Sequence, residues 1–119
     1  MDTQSYLRLA PPVSLEDLKV RIAKAPNRVL FAYVIVYEDK YETALGDGEF
    51  LYAEWAYLDR ATAAKACDDF TEGCATYTIR RAELTYDGET DTFSRVHDVG
   101  GWMRRYDADS IVSFLTGEG

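Results

Sequence analysis

The sequence predicts an α+β fold: a single domain in which helices pack on a four-stranded antiparallel sheet. Three observations lead to this prediction. Residues 29 to 37 are all apolar, as in a buried strand, and capped helical segments alternate with pairs of strand-like segments. A chain of 119 residues, 47% of them apolar, can also bury one hydrophobic core without metal or disulfide support. We expect an N-terminal arm at residues 1 to 13, followed by one domain at residues 14 to 119.

The first helix is predicted at residues 15 to 24. Ser14, with Asp17 three residues later, is typical of a capping box at a helix start. Pro26 should stop the helix because proline cannot continue it. The apolar stripe that this helix should bury repeats at helical spacing and consists of Leu15, Leu18 and Ile22.

The central strand is predicted at residues 28 to 37, where both alternating faces are apolar. Such a strand is either central in its sheet or has its second face covered by a partner. Gly46, Asp47 and Gly48 predict a turn, and residues 50 to 58 predict a second, antiparallel strand.

A helix and two strands follow in the second half of the chain. Asp59 is expected to cap a helix over residues 60 to 71. Residues 74 to 86 predict a third strand, in which the apolar positions change from one alternating set to the other. This change predicts a β-bulge near Arg80 and Arg81, since a one-residue shift otherwise turns every side chain to the opposite face.

The chain ends with a short strand and a helix. Asp87 and Gly88 predict a type I′ turn, with positive φ at the glycine, before a fourth strand at residues 89 to 96. Asp107 should cap the last helix. Its predicted core positions are Ala108, Ile111, Phe114 and Leu115.

Charge and hydropathy narrow the class of function. The net charge is −8, and residues 38 to 59 carry seven acidic side chains and one basic side chain. Such a field attracts basic surfaces and repels nucleic acid and anionic membranes. No uncharged apolar run approaches the roughly 20 residues that a membrane span needs, and the first ten residues do not resemble a secretory signal. We therefore expect a cytoplasmic protein, in the host cytoplasm if it is phage-encoded, with no membrane and no direct nucleic-acid partner.

Residues suited to catalysis or metal binding are sparse. His97 is the only histidine, and no nucleophile motif accompanies it. Cys67 and Cys74 match no zinc-binding spacing, and Cys67 lies on the apolar face of its predicted helix, where we expect a buried thiol. The sequence therefore predicts no enzyme activity, no cofactor and no metal.

The strongest candidate for function is a binding surface that combines carboxylates with aromatic side chains. Carboxylates steer association with a basic partner, and aromatic residues supply the buried anchors of an interface. The candidate residues are Glu38, Asp39, Glu42, Asp47, Glu49, Tyr52, Glu54, Trp55 and Tyr57. A secondary candidate surface combines arginine with tryptophan and consists of Arg80, Arg81, Trp102, Arg104 and Arg105.

These features favour a non-enzymatic domain that docks on a basic protein surface, expected to belong to a nucleic-acid-binding protein. Phage anti-defence proteins such as anti-CRISPRs, and bacterial toxin-immunity proteins, offer an analogy in size and charge that rests on composition and on no motif. One alternative is a small-molecule binding or catalytic domain that forms a homodimer and has a pocket on the second face of the central strand. A second alternative is a structural protein of a virion or other assembly.

Overall fold

The computed structural model describes residues 3–43, 46–70, 76–95 and 107–118, with side chains at all of these positions except 3, 38–43, 46–51, 70 and 76. The described helices are α1 (Thr3–Leu9), α2 (Leu15–Lys24), α3 (Arg60–Phe70) and α4 (Ala108–Thr116), and a 3₁₀ turn lies at Pro26–Arg28. The described strands are β1 (Leu30–Thr43), β2 (Gly46–Tyr57), β3 (Thr76–Asp87) and β4 (Thr92–Arg95). They form one antiparallel sheet in the order β2-β1-β3-β4, which confirms the predicted α+β fold.

The apolar strand β1 is central in the sheet, as its two apolar faces predict. It pairs with β2 on one side and with β3 on the other. Alternate residues of β1 therefore enter two separate hydrophobic clusters on opposite faces of the sheet.

Helices α2 and α4 cover the first face of the sheet. The buried members of this cluster are Leu18, Ile22, Ala32, Val34, Val36, Ala56, Ala82, Leu84, Ala108, Ile111, Val112 and Leu115. Leu15, predicted to join Leu18 and Ile22, is instead 44% exposed. It occupies the first turn of α2, where the helix has not yet reached the sheet-facing cluster.

Helices α1 and α3 cover the second face. The buried members of this cluster are Tyr6, Ile35, Trp55, Tyr57, Ala63 and Ala66. Tyr6 stacks on Trp55 with ring centroids 5.0 Å apart, and the hydroxyl of Tyr57 donates to the backbone carbonyl of Tyr6 over 3.1 Å. The protein's own helices thus cover much of the second face of β1, the face for which the sequence left open a partner or a pocket.

Helix α1 falls within the predicted N-terminal arm, and the sequence does not predict it. Its seven residues are too few to form a stable helix alone, because helix nucleation is costly. Its stability therefore depends on tertiary packing through Tyr6, which no local sequence signal reveals.

The predicted bulge near Arg80 and Arg81 is wrong. The register between β1 and β3 is continuous from Leu30 opposite Leu84 to Glu38 opposite Thr76. The apolar set changes along β3 because both faces of the sheet are buried: early residues such as Ile79 pack on the second cluster and later ones such as Leu84 on the first.

The bulge of this sheet lies in β2 instead. Ile35 pairs with Trp55, whereas the next residue, Val36, pairs with Ala53. Glu54 is therefore the extra residue, and it has no direct partner on β1.

Two predicted turns are also wrong. Gly46, Asp47 and Gly48 belong to β2, where Thr43 pairs with Gly46, so the connection falls at residues 44–45, outside the described residues. Asp87 pairs with Thr92, which leaves a four-residue loop in place of a type I′ turn.

In this loop the positive φ of 53° is at Asp91, and Gly88 is not among the glycines with positive φ. The carboxylate of Asp87 accepts the backbone N–H of Glu89 over 2.9 Å and so stabilises the loop without a left-handed residue at its start. Strand β4 begins at Thr92, three residues later than predicted.

The N-cap roles of Ser14, Asp59 and Asp107 are confirmed. Ser14 accepts the backbone N–H of Asp17 over 3.0 Å, whereas the Asp17 carboxylate, predicted to complete a capping box, binds Arg21 over 2.8 Å. Asp59 accepts the backbone N–H of Thr62, and Asp107 accepts that of Ser110, both over 2.9 Å. The pKa of Asp59 is lowered first by a hydrogen bond from the Thr62 hydroxyl and then by the bond from the Thr62 backbone N–H, and the pKa of Asp107 is lowered first by the bond from the Ser110 backbone N–H, because these bonds stabilise the ionised form.

Candidate interaction surface

The acidic segment predicted to be functional forms a β-hairpin that continues past the described part of β3. The described part of β3 begins at Thr76, opposite Glu38. Strands β1 and β2 continue their pairing beyond this point, as far as Thr43 opposite Gly46. Among the described residues, the end of the hairpin is thus paired only with itself. We call residues 38–43 and 46–51 the acidic hairpin.

The acidic hairpin holds much of the protein's negative charge. It carries five carboxylates and one lysine, a net charge of −4. The register sets Lys40 opposite Glu49 and Glu42 opposite Asp47. Opposite charges at opposed positions stabilise a sheet and like charges destabilise it, so the first pair is favourable and the second is not.

Three tyrosines lie side by side at the base of the acidic hairpin, one on each of three neighbouring strands. The rings of Tyr37 and Tyr52 are 6.0 Å apart between centroids, and those of Tyr37 and Tyr77 are 5.2 Å apart in an edge-to-face arrangement. Tyr52 is 44% exposed, whereas Tyr37 and Tyr77 are half-buried. We call these three residues the tyrosine patch.

Glu54, the extra residue of the β2 bulge, lies two residues after Tyr52 of the tyrosine patch. Its side chain is half-buried and hydrogen-bonds with the phenol of Tyr6. The pKa of Tyr6 is raised far above its usual value, first by burial and then by the charge of Glu54, with Tyr77 and Tyr57 adding to the effect. The Glu54 carboxylate thus lies close to the phenol of Tyr6, which belongs to the cluster on the second face of the sheet.

Two of the predicted aromatic anchors are not available to a partner. Trp55 is 3% exposed and Tyr57 is 2% exposed, because both pack beneath α1 and α3. Burial also raises the pKa of Tyr57 to about 12. Of the predicted aromatic residues only Tyr52 is exposed, so the candidate surface is narrower and closer to the hairpin than the sequence indicates.

The carboxylates predicted for this surface lie on one hairpin but at positions of both its faces. Asp39 shares a face with Tyr37 and Tyr52, whereas the positions on the other face are those of Glu38, Glu42, Asp47 and Glu49. Glu54 lies at the base of the hairpin. Tyr37 and Tyr77 belong to the same surface, but the set of residues predicted from the sequence does not include them. An alternating strand pattern could have signalled Tyr37, but the position of Tyr77 depends on the pairing of β3 with β1.

The secondary candidate surface is not supported as a single patch. Arg80 pairs with Val34 and Arg81 with Tyr33, so the two arginines lie on opposite faces of the sheet. Arg80 is half-buried, whereas the Arg81 guanidinium lies 4.6 Å from the ring centroid of Phe31. Trp102, Arg104 and Arg105 lie outside the described residues, as do His97 and Cys74.

A groove of about 460 Å³ lies at the start of β1, at the other end of the sheet from the acidic hairpin. Its lining is mostly apolar, with Phe31, Tyr33, Leu58 and the carboxylate of Glu83. A smaller cavity of about 170 Å³ lies between the segment after α1, the end of β2 and α4. The ionisable side chains are Tyr33 and Glu83 in the first lining and Arg21, Tyr57 and Asp59 in the second.

In the part of the chain that the structure describes, no helix is long and apolar enough to cross a bilayer. Within the same residues, no group of three histidine, cysteine or carboxylate side chains could hold a metal ion. No protein-family model matches the chain, and no curated protein or solved structure matches it either.

Proposed function

We propose that this chain is a non-enzymatic binding domain that docks its acidic hairpin on the basic surface of another protein. The observation that carries the proposal is a paired hairpin of net charge −4 that, among the described residues, continues beyond Thr76, where the described part of β3 begins. Strand pairing sets the order and register of the charged residues along the backbone, which a disordered tail does not do. The charged residues can therefore both attract a partner and define how it binds.

The shape of the hairpin favours a partner that handles nucleic acid. Proteins bind nucleic acid through lysine and arginine side chains that contact phosphates along a groove. A narrow acidic hairpin can enter such a groove and contact the same side chains. The domain would then act as an inhibitor that competes with the nucleic acid, in the cytoplasm where such a partner works.

The first experiment tests whether the acidic hairpin is the basic-binding element. The probe is octa-arginine, titrated by calorimetry at about 50 and 200 mM salt. Reversal of Asp39, Glu42 and Glu49 to lysine should weaken binding more than tenfold and flatten its salt dependence, because fewer ion pairs form.

A matched control reverses three exposed carboxylates elsewhere, Glu16, Glu89 and Glu118, and so makes the same change in net charge. Glu89 follows β3 at the end of the sheet opposite the hairpin. Glu16 lies near the same end, because its neighbour Lys19 contacts both Glu16 and Asp91. If both triple variants lose affinity equally, total charge and not the hairpin determines binding, and the proposal is wrong.

The second experiment tests the kind of partner. A protein that the wild-type chain captures, and that the hairpin variant does not capture, should itself bind nucleic acid. The domain should compete with nucleic acid for it. Capture of a partner that binds no polyanion would contradict this part of the proposal. A large symmetric oligomer in light scattering would instead favour the assembly alternative.

A further inference from the structure

We propose that the tyrosine patch and Glu54 together form a subsite for one arginine side chain of the partner. This inference rests on the proposed function, and it identifies which contact gives the interface its specificity. The acidic hairpin supplies attraction at a distance, whereas the subsite supplies a contact with defined geometry.

The aromatic part of the subsite consists of three neighbouring rings. Tyr52 is 44% exposed, and Tyr37 lies between it and Tyr77, with its ring tilted to Tyr52 and edge-to-face with Tyr77. A guanidinium binds well on such a surface, because it stacks on an aromatic face within about 6 Å of the ring centroid. The same chain already contains one contact of this kind, since Arg81 lies 4.6 Å from the exposed ring of Phe31.

Glu54 supplies the charge that an arginine needs. Glu54 follows Tyr52 by two residues on β2, and its side chain is half-buried. The phenol of Tyr6 donates one hydrogen bond to it, and an ionised carboxylate can accept about four. Acceptor capacity therefore remains for a guanidinium, which can donate two parallel bonds to one carboxylate.

Charge selects against other occupants of this surface. An apolar side chain over the tyrosine patch would remove Glu54 from water without pairing its charge, which is unfavourable. A second copy of this chain would bring two acidic hairpins of net charge −4 together, which is also unfavourable. Lysine matches the charge, but it lacks the planar group that both stacks on a ring and binds a carboxylate with two bonds.

The test compares octa-arginine with octa-lysine, two probes of equal charge. The wild-type chain should bind octa-arginine more tightly, about fivefold or more for one stacked and paired side chain. Tyr52→Ala should bring the ratio of the two affinities close to one, and Glu54→Gln should also reduce this ratio. Tyr52→Phe should retain most of the preference because the ring remains. Phe31→Ala, which removes a similarly exposed ring at the other end of the sheet, should leave the preference unchanged.

The outcomes separate this inference from the proposed function. The hairpin triple variant should bind both peptides more weakly, by a similar factor, because it alters the long-range attraction and not the subsite. If it does so while Tyr52→Ala leaves the arginine preference intact, the subsite is wrong and the proposed function stands. If the wild-type chain shows no preference for arginine, the subsite is likewise wrong. If the hairpin variant binds both peptides as tightly as wild type, the proposed function is wrong.

Discussion

Cys67 illustrates how burial limits the chemistry of a single side chain. It lies on the same face of α3 as Ala63 and Ala66, and 9% of its surface is exposed. Burial raises the pKa of its thiol, and the neighbouring charge of Asp68 raises it further. Since the thiolate is the reactive form, a raised pKa leaves less of it at any given pH.

We therefore expect slow alkylation of Cys67 in the folded protein. A Cys74→Ser variant isolates the single thiol, and iodoacetamide labelling at pH 8 is followed by mass spectrometry. The labelling rate should rise at least tenfold in denaturant, and the folded protein should need a higher pH than a model thiol for half-maximal rate. Equal rates in the folded and denatured protein would show that the thiol is exposed.

The end of α4 shows at the scale of an element why glycine is needed there. Gly117 has a φ of 81°, and its N–H binds the carbonyl of Phe114 while the N–H of Glu118 binds that of Ser113. This is the Schellman arrangement, which requires a left-handed residue. A Cβ at this position would also lie 3.0 Å from the Cβ of Pro12, in the segment that joins α1 to α2.

We expect Gly117→Ala to lower the free energy of unfolding by at least about 1 to 2 kcal/mol, the strain of a left-handed non-glycine residue. The matched control is Gly88→Ala. Position 88 is not in the left-handed region, and the nearest atom to an added Cβ is 3.9 Å away, an ordinary contact. This variant should change stability by less than about 0.5 kcal/mol. Urea unfolding measures both, and equal losses would contradict the assignment of the two backbone conformations.

Elements with strong local signals could be predicted from the sequence, and those that depend on tertiary contacts could not. The caps at Ser14, Asp59 and Asp107 use short-range hydrogen bonds, so their sequence pattern suffices. Helix α1 depends on Tyr6 stacking on Trp55, a residue far away in the chain. The β2 bulge likewise depends on the register with β1, which the sequence of β2 alone does not reveal.

The candidate site divides in the same way. The negative charge of the site could be predicted from the sequence, and its exposed residue Tyr52 belongs to the predicted surface. The burial of Trp55 and Tyr57 could not be predicted, because a strand with apolar residues on both faces does not reveal which face helices will cover. Tyr77 joins the patch only through the pairing of β3, so the tyrosine patch is a product of sheet topology.

At the scale of the whole molecule, the sheet has two parts with different support. Residues 33–36 of β1 lie between β2 and β3 and contribute to the hydrophobic clusters on both faces. Residues 39–43 and 46–50 pair only with each other among the described residues. Local opening should therefore need much less free energy in the acidic hairpin than in the clusters, because a two-stranded hairpin is marginally stable by itself.

Amide hydrogen exchange measures this difference directly. We expect the amides of residues 39–43 and 46–50 to exchange at least about a hundredfold faster than those of 32–36, which open only when the clusters unfold. Bound octa-arginine should slow exchange in the hairpin. It should also slow those cluster amides that exchange through global unfolding, because it binds only the folded protein. The triple variant of Asp39, Glu42 and Glu49 should exchange at nearly the wild-type rate when free but should show no slowing with the peptide. Uniform protection along β1 would contradict the expected division of the sheet, and slowing in the triple variant would place the peptide elsewhere on the protein.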